Sequence, residues 1–211
     1  MRKYFKNILQ VVLVTFISAA HGGAYEDFFR AVNVDDSRTL GALLERGFDP
    51  NSVDEHGQVG LFLAYRVGST KVASALLAHP AIKVDAENAA GETPLMMASM
   101  RGDIDAMRRL LDKGSQVNRK GWTPLHYAAS GPSLEALELL LSRGADIEAA
   151  SPNGTTPVMM AARYGSDDAA FALVKKGADT RKKNDKGLNA ADFARLGGRE
   201  RLAAALESPL R

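Results

Sequence analysis

A glycine recurs at Gly57, Gly91, Gly121, Gly154 and Gly187, at spacings of 34, 30, 33 and 33 residues, and the chain repeats itself in phase with it. A period of this size marks stacked repeats rather than a domain closed around one core. Gly91-Glu92-Thr93-Pro94-Leu95, Gly121-Trp122-Thr123-Pro124-Leu125-His126 and Gly154-Thr155-Thr156-Pro157-Val158 open three of the blocks. Seven residues past each glycine stands an alanine: Ala64, Ala98, Ala128, Ala161 and Ala194. Twelve past it comes Ser69, Asp103, Ser133 or Ser166, and nineteen and twenty past it a pair such as Leu110-Leu111 or Leu140-Leu141. Counting from Ala24 as a virtual glycine gives Ala31, Asp36, Leu43-Leu44 and Gly47, which makes six blocks.

One block can be read physically. Thr before Pro is an N-cap followed by the residue best suited to the first helical position. The short helix it starts has an alanine face that lets a neighbour come close. Gly ends that helix, and Ser or Asp caps a second one carrying the paired leucines. Gly114, Gly144 and Gly177 suit a left-handed C-cap at its end. Burying each leucine is worth about 1.5–3 kcal/mol. A lone helix pair cannot bury them, so the blocks must stack.

With Thr123-Pro124-Leu125-His126 and the helix ends Gly144-Ala145-Asp146 and Gly177-Ala178-Asp179, the chain resembles the ankyrin-repeat family over nearly all of residues 25–208. The resemblance implies an all-α solenoid of stacked helix–turn–helix units with short β-hairpin fingers and a concave face. The repeats fall at about 25–53, 54–87, 88–117, 118–150, 151–183 and 184–208, leaving 209–211 as a tail. Departures from the pattern stand out. The first repeat begins directly at its helix, and the last lacks the terminal glycine, as end caps would. Val59-Gly60 replaces Thr-Pro in the second repeat, and Pro80 replaces its C-cap glycine. From Gly114 to Gly121 is seven residues where regular fingers take ten. A finger shortened by three should leave a notch beside Trp122.

Residues 1–24 read as a secretory signal peptide: basic Arg2, Lys3 and Lys6, an apolar run from Ile8 to Ile17, then small residues, with cleavage after Ala20 or Ala24. The apolar run is too short to span a bilayer comfortably, so no stable membrane insertion is expected after cleavage. The leader carries three basic and no acidic residues, so its removal leaves 24 cations against 25 anions. A balance of about −1 gives no reason to expect nucleic acid as a partner. The absence of cysteine excludes disulfide frameworks, thiol nucleophiles and cysteine-ligated metal. Similarity to exported bacterial ankyrin chains makes the periplasm the expected location.

Candidate chemistry is sparse. His126 occupies the position where ankyrin repeats use histidine to hydrogen-bond within the turn. Ser130, one helical turn on, would make a hydrolase-like pair with it, but no acid at matching spacing orients the imidazole. Met96, Met97, Met100, Met107, Met159 and Met160 invite a copper-handling reading, since thioether sulfur is a soft ligand. Gap-filling in the core accounts for them better. Asp103 with Asp105, and Asp167 with Asp168, stand at second-helix starts, where acids complement the helix dipole rather than bind calcium. No cofactor, no metal and no enzymatic activity are expected.

Similarity to the family implies contact residues at the finger tips and at the exposed ends of the first helices. In this chain those positions carry Arg66, Arg101, Arg119, Lys120, Arg163 and Lys186 against Glu55, Glu92 and Asp185, with Met100, Val67, Trp122 and Tyr164 adding apolar surface. Arg66, Met100, Arg101, Arg119, Lys120, Trp122, Arg163 and Tyr164 are the expected protein-binding set. Aromatic and arginine residues on one face are the stuff of binding hot spots. The expected function is a monomeric, exported protein–protein interaction module whose partner offers an acidic or extended segment.

Overall fold

The structure, a computed structural model, describes residues 23–207. All but the last two residues of the expected leader, and the expected 209–211 tail, lie outside them. The described chain is helical: α1 (residues 23–33), α2 (Ser37–Glu45), α3 (Gly60–Val67), α4 (Thr70–Ala78), α5 (Pro94–Arg101), α6 (Ile104–Asp112), α7 (Pro124–Ser130), α8 (Leu134–Ser142), α9 (Pro157–Tyr164), α10 (Asp167–Lys175), α11 (Ala190–Leu196) and α12 (Glu200–Glu207). These are six helix pairs, one per expected repeat. The fingers between them are tight turns rather than ladders. Among the described residues the one isolated bridge is antiparallel, between Val53 and Val59. The chain divides into two compact units, one ending at Lys83 and one beginning at Val84.

In the C-terminal unit the first helices α5, α7, α9 and α11 pack side by side, and the second helices α6, α8 and α10 pack behind them. Thr93, Thr123 and Thr156 stand at the N-caps of α5, α7 and α9 with proline just inside. Asp103, Ser133 and Ser166 cap α6, α8 and α10, each accepting a backbone N–H three residues on. Asp103 is thus a cap. Leu95, Leu110, Leu125, Leu140 and Leu173 are fully buried between the two rows.

Close approach of the first helices requires the glycines that end them. A Cβ on Gly165 would lie 2.1 Å from the Ala129 carbonyl oxygen, one on Gly131 2.6 Å from that of Met100, and one on Gly197 2.7 Å from that of Arg163. The glycines that end α7, α9 and α11 therefore rest on the carbonyl end of the preceding first helix. The last repeat adds a fastening of its own. Arg199, at the position where Ser133 and Ser166 cap their helices, donates Nη1 to the carbonyls of Ala161, Ala162 and Gly165 at 2.8–3.0 Å. Its Nη2 pairs with Asp167. A cation at the C-terminus of α9 also meets the negative end of that helix.

The N-terminal unit solves the same problem with aromatic rings. Phe28 on α1 stacks on Phe48 (4.8 Å between centroids) and meets Phe29 edge-on at 5.0 Å. Tyr25 meets Phe29 edge-on at 4.9 Å and donates its hydroxyl to the Val53 carbonyl. The Phe28 ring explains why Gly60 stands where the third, fourth and fifth repeats have proline: a Cβ there would lie 2.7 Å from Cε1 of Phe28. Asp35, at φ 56°, holds the left-handed conformation that a short polar side chain tolerates. From there its carboxylate accepts the Val72 N–H in the first turn of α4. Asp35 thereby does what Ser69, the N-cap of α4, does not do with its own side chain.

Candidate functional site

The residue five past each index glycine decides how a finger joins its helix. In α5 and α9 it is a methionine whose Sδ accepts the N–H of the capping threonine, Thr93 to Met96 and Thr156 to Met159, both at 3.4 Å. In α11 it is Asp192, which accepts from the Asn189 N–H. In α7 it is His126. Its Nδ1 lies 3.2 Å from the Thr123 nitrogen and 2.9 Å from Thr123 Oγ1, and its Nε2 lies 3.0 Å from the Thr155 carbonyl. Since Nδ1 takes the backbone N–H, the proton belongs on Nε2, where it is donated to Thr155. Burial holds the imidazole below its ordinary pKa, against the opposing pull of its backbone partners. Nδ1 therefore closes the finger onto its own helix, while Nε2 joins the repeat to the next one. Ser130 Oγ donates to the His126 backbone carbonyl rather than to the ring, so the hydrolase-like pair is not formed.

The shortened finger is where the surface opens. In the neighbouring fingers Asn88, Ser151 and Asn184 hold the turn by accepting N–H groups from within it. Asn118 aligns with them by sequence but does other work. Its Nδ2 donates to the Gly144 carbonyl at 2.7 Å and its Oδ1 accepts the Asp146 N–H at 2.8 Å. Elsewhere residues six before the index glycine reach forward in that way: Asp85 accepts the Gln116 N–H, and Glu148 that of Asp179. The three missing residues are therefore the tip of the hairpin. Arg119 reaches back instead, donating to the Gly91 carbonyl and to Glu87, both at 2.6 Å.

Beneath the missing tip lies a recess of about 230 Å³ lined by Met100, Trp122, His126, Tyr127, Ser130 and Met160. The Trp122 ring meets His126 edge-on at 5.1 Å. Tyr127 donates its hydroxyl to Glu92 at 2.7 Å. Burial, and then that carboxylate, push its pKa well above the ordinary phenol value. Around the recess, Arg101, Lys120 and Tyr164 are exposed. The Arg163 guanidinium lies over the Tyr164 ring, 4.9 Å from its centroid.

A family model for ankyrin repeats in three copies matches residues 28–120, 81–151, 115–184 and 131–206. The chain is an ankyrin-repeat protein. It is 31% identical over 71 residues to ankyrin repeat and SAM domain-containing protein 6 of Danio rerio, and 33% identical over 81 residues to alpha-latrocrustotoxin-Lt1a of Latrodectus tredecimguttatus. Those stretches are 34% and 38% of this chain but only 10% and 6% of the relatives, so the likeness is to a small part of each. Among solved structures it is similar to a chain of the complex between the predatory endopeptidase Bd0816 from Bdellovibrio bacteriovorus and immunity protein Bd3460. The TM-score is 0.72 at 28% identity, covering 85% of this chain and 96% of that one.

Ankyrin repeats make this a protein–protein interaction module, and the fold is characteristically a binding scaffold rather than a catalyst. Of the contact residues expected from sequence, Met100, Arg101, Arg119, Lys120, Trp122, Arg163 and Tyr164 lie in the C-terminal unit. Arg66 lies in the N-terminal unit, bonded to Gln58, with its guanidinium 6.0 Å from the Phe62 centroid. Arg119, with a side chain only 19% exposed, is a strut between fingers. Met160, Tyr127 and Ser130 were not among the expected contacts, although the helical spacing of Met160 to Arg163 and Tyr164 puts all three on one side of α9. Among the described residues no helix is long and apolar enough to cross a membrane, and no group of three His, Asp or Glu side chains converges as a metal site.

Proposed function

We propose that the chain is exported to the periplasm and there docks, as a monomer, on an envelope enzyme and masks it, in the manner of an immunity protein. The observation that carries this reading is the likeness to a chain of the endopeptidase–immunity protein complex, which extends over 96% of that chain. The leader pattern of residues 1–24 supports export. A face built from short packed helices loses little conformational entropy on docking. Lys120, Arg163 and Trp122 on that face suit an acidic, extended segment of the partner.

The test is chemical crosslinking of the native chain in periplasmic extract, beside a Lys120→Glu, Trp122→Ala, Arg163→Glu variant whose fold is checked by circular dichroism. A hydrolase captured by the native chain, lost by the variant and inhibited by stoichiometric native chain is the expected result. No capture, or capture without inhibition, contradicts the masking role. N-terminal sequencing of the exported protein should find a mature start at His21 or Tyr25; an intact Met1 would contradict cleavage.

A further inference from the structure

The recess under Trp122 has properties that specify what it holds. At about 230 Å³ it is smaller than the ~300–1,000 Å³ of small-molecule pockets, and suits one side chain rather than a cofactor. The polar groups that line it are already satisfied within the protein. His126 is bonded through both ring nitrogens, Tyr127 donates to Glu92, and Ser130 donates to a backbone carbonyl. The indole N–H of Trp122 is the one lining donor that has no hydrogen-bond acceptor among the described residues. The remaining surface is thioether and aromatic carbon from Met100, Met160, Trp122 and Tyr127. A polar occupant would give up water and gain almost nothing in return.

The charges around the recess are lopsided. Glu87 is paired with the Arg119 cation, whereas Glu92 keeps its charge, since Tyr127 and Asn88 that bond it are neutral. The cation Lys120 stands two residues before Trp122 in the chain, and Arg163 one helical turn past Met160. Lys120 and Arg163 against Glu92 leave a small excess of positive charge beside the recess, which complements carboxylates on whatever crosses it.

We infer that this recess is an anchor pocket for one large apolar side chain, of leucine or phenylalanine size, carried on an extended partner segment with acidic residues on either side. The inference rests on the docking role proposed above and specifies its partner. The missing hairpin tip lets the segment's backbone pass over α7, and Trp122 offers its N–H to a backbone carbonyl of that segment.

Trp122 is the only tryptophan of the chain, so its fluorescence reports the recess directly. The probes are three capped peptides: Asp-Glu-Leu-Glu-Asp, the same peptide with serine in place of leucine, and Lys-Lys-Leu-Lys-Lys. The leucine peptide with acidic flanks should shift Trp122 emission to the blue in a saturable way. The serine peptide should bind at least about tenfold more weakly, the loss expected when one buried apolar side chain is removed, and the lysine peptide should also bind more weakly because its flanks repel Lys120 and Arg163. Met100→Glu, at a position already 37% exposed, should weaken the leucine peptide by a similar factor without loss of fold by circular dichroism.

Equal binding of the leucine and serine peptides would overturn the anchor, and equal binding of the lysine peptide would overturn the acidic flanks. No saturable shift up to ~1 mM, the range of the weakest specific binding, would overturn both. A blue shift that grows with protein concentration alone, together with dimers in sedimentation, would give the recess to a second copy of the chain and overturn the inference. If the crosslinking experiment captures a partner while the peptides fail, the recess assignment falls and the docking role stands. If capture fails, the docking role falls regardless of the peptides.

Discussion

The two compact units build the same helix pairs by different means. From Val84 onward, the work is done by recurring small devices: threonine caps, proline inside, glycine against a carbonyl, and one hydrogen-bonding side chain per turn. Up to Lys83 these are largely missing, and rings take their place. Phe28, Phe29, Phe48 and Tyr25 fill the space, Gly60 yields to Phe28, and Asp35 caps a helix that belongs to the next repeat. At the turn position where the later repeats place Met96, His126, Met159 and Asp192, the N-terminal unit has Phe62, which accepts nothing. Its capping residue Val59 is instead pinned by the bridge to Val53. Devices that recur are additive and local, whereas a ring cluster concentrates stability in a few side chains.

The sharpest way to break this contrast is Phe28→Ala. The side chain is fully buried, and its loss should cost about 3–5 kcal/mol. Hydrogen exchange should rise throughout α1 and α3 while α7 and α9 keep their protection. Equal loosening in both units would show that the ring cluster is not local.

Gly165→Ala should come next, at about 2–3 kcal/mol in urea unfolding, because its methyl would meet the Ala129 carbonyl oxygen. A cost below about 0.5 kcal/mol would mean that the first helices can separate freely.

His126→Leu should cost about 2 kcal/mol, since it strands a buried N–H on Thr123 and a buried carbonyl on Thr155. Met96→Leu removes only a weak sulfur acceptor and should cost under about 1 kcal/mol. The histidine also adds a pH dependence that the methionine repeats lack. Above the ordinary imidazole value of 6.5 both folded and unfolded states are neutral, and its contribution is complete. As the pH falls through that value, the unfolded chain takes up a proton that the buried site resists, so the C-terminal unit loses stability. Urea midpoints at pH 7 and pH 5 should therefore differ more for the native chain than for His126→Leu.

The smallest effect is a gain. Gly41 lies inside α2 with open space around its missing side chain, and Gly41→Ala should stabilise the N-terminal unit by about 0.5–1 kcal/mol. A loss on thermal unfolding would indicate a packing demand at that position.

Much of the fold was legible because capping chemistry is local: the threonines, serines and leucines announce their helices without help from tertiary contacts. The glycines that end α7, α9 and α11 were legible as stop signals, but their closeness to a carbonyl was not. That depends on how far apart neighbouring helices sit. The notch beside Trp122 followed from counting residues between Gly114 and Gly121. The role of Arg119 did not follow from counting. A finger-tip arginine looks free in sequence, and only the position of the preceding finger shows that Gly91 and Glu87 hold it. Arg199 was hidden for a related reason. It stands where the repeat calls for a small cap, and its reach to the end of α9 appears only once the helices are stacked.

The most direct test of the account is a hydrogen-exchange footprint of the native chain with and without the captured partner. New protection is expected over residues 118–131 and 157–164, around the recess. Protection confined to the second helices α6, α8 and α10, with residues 118–131 unchanged, would contradict it.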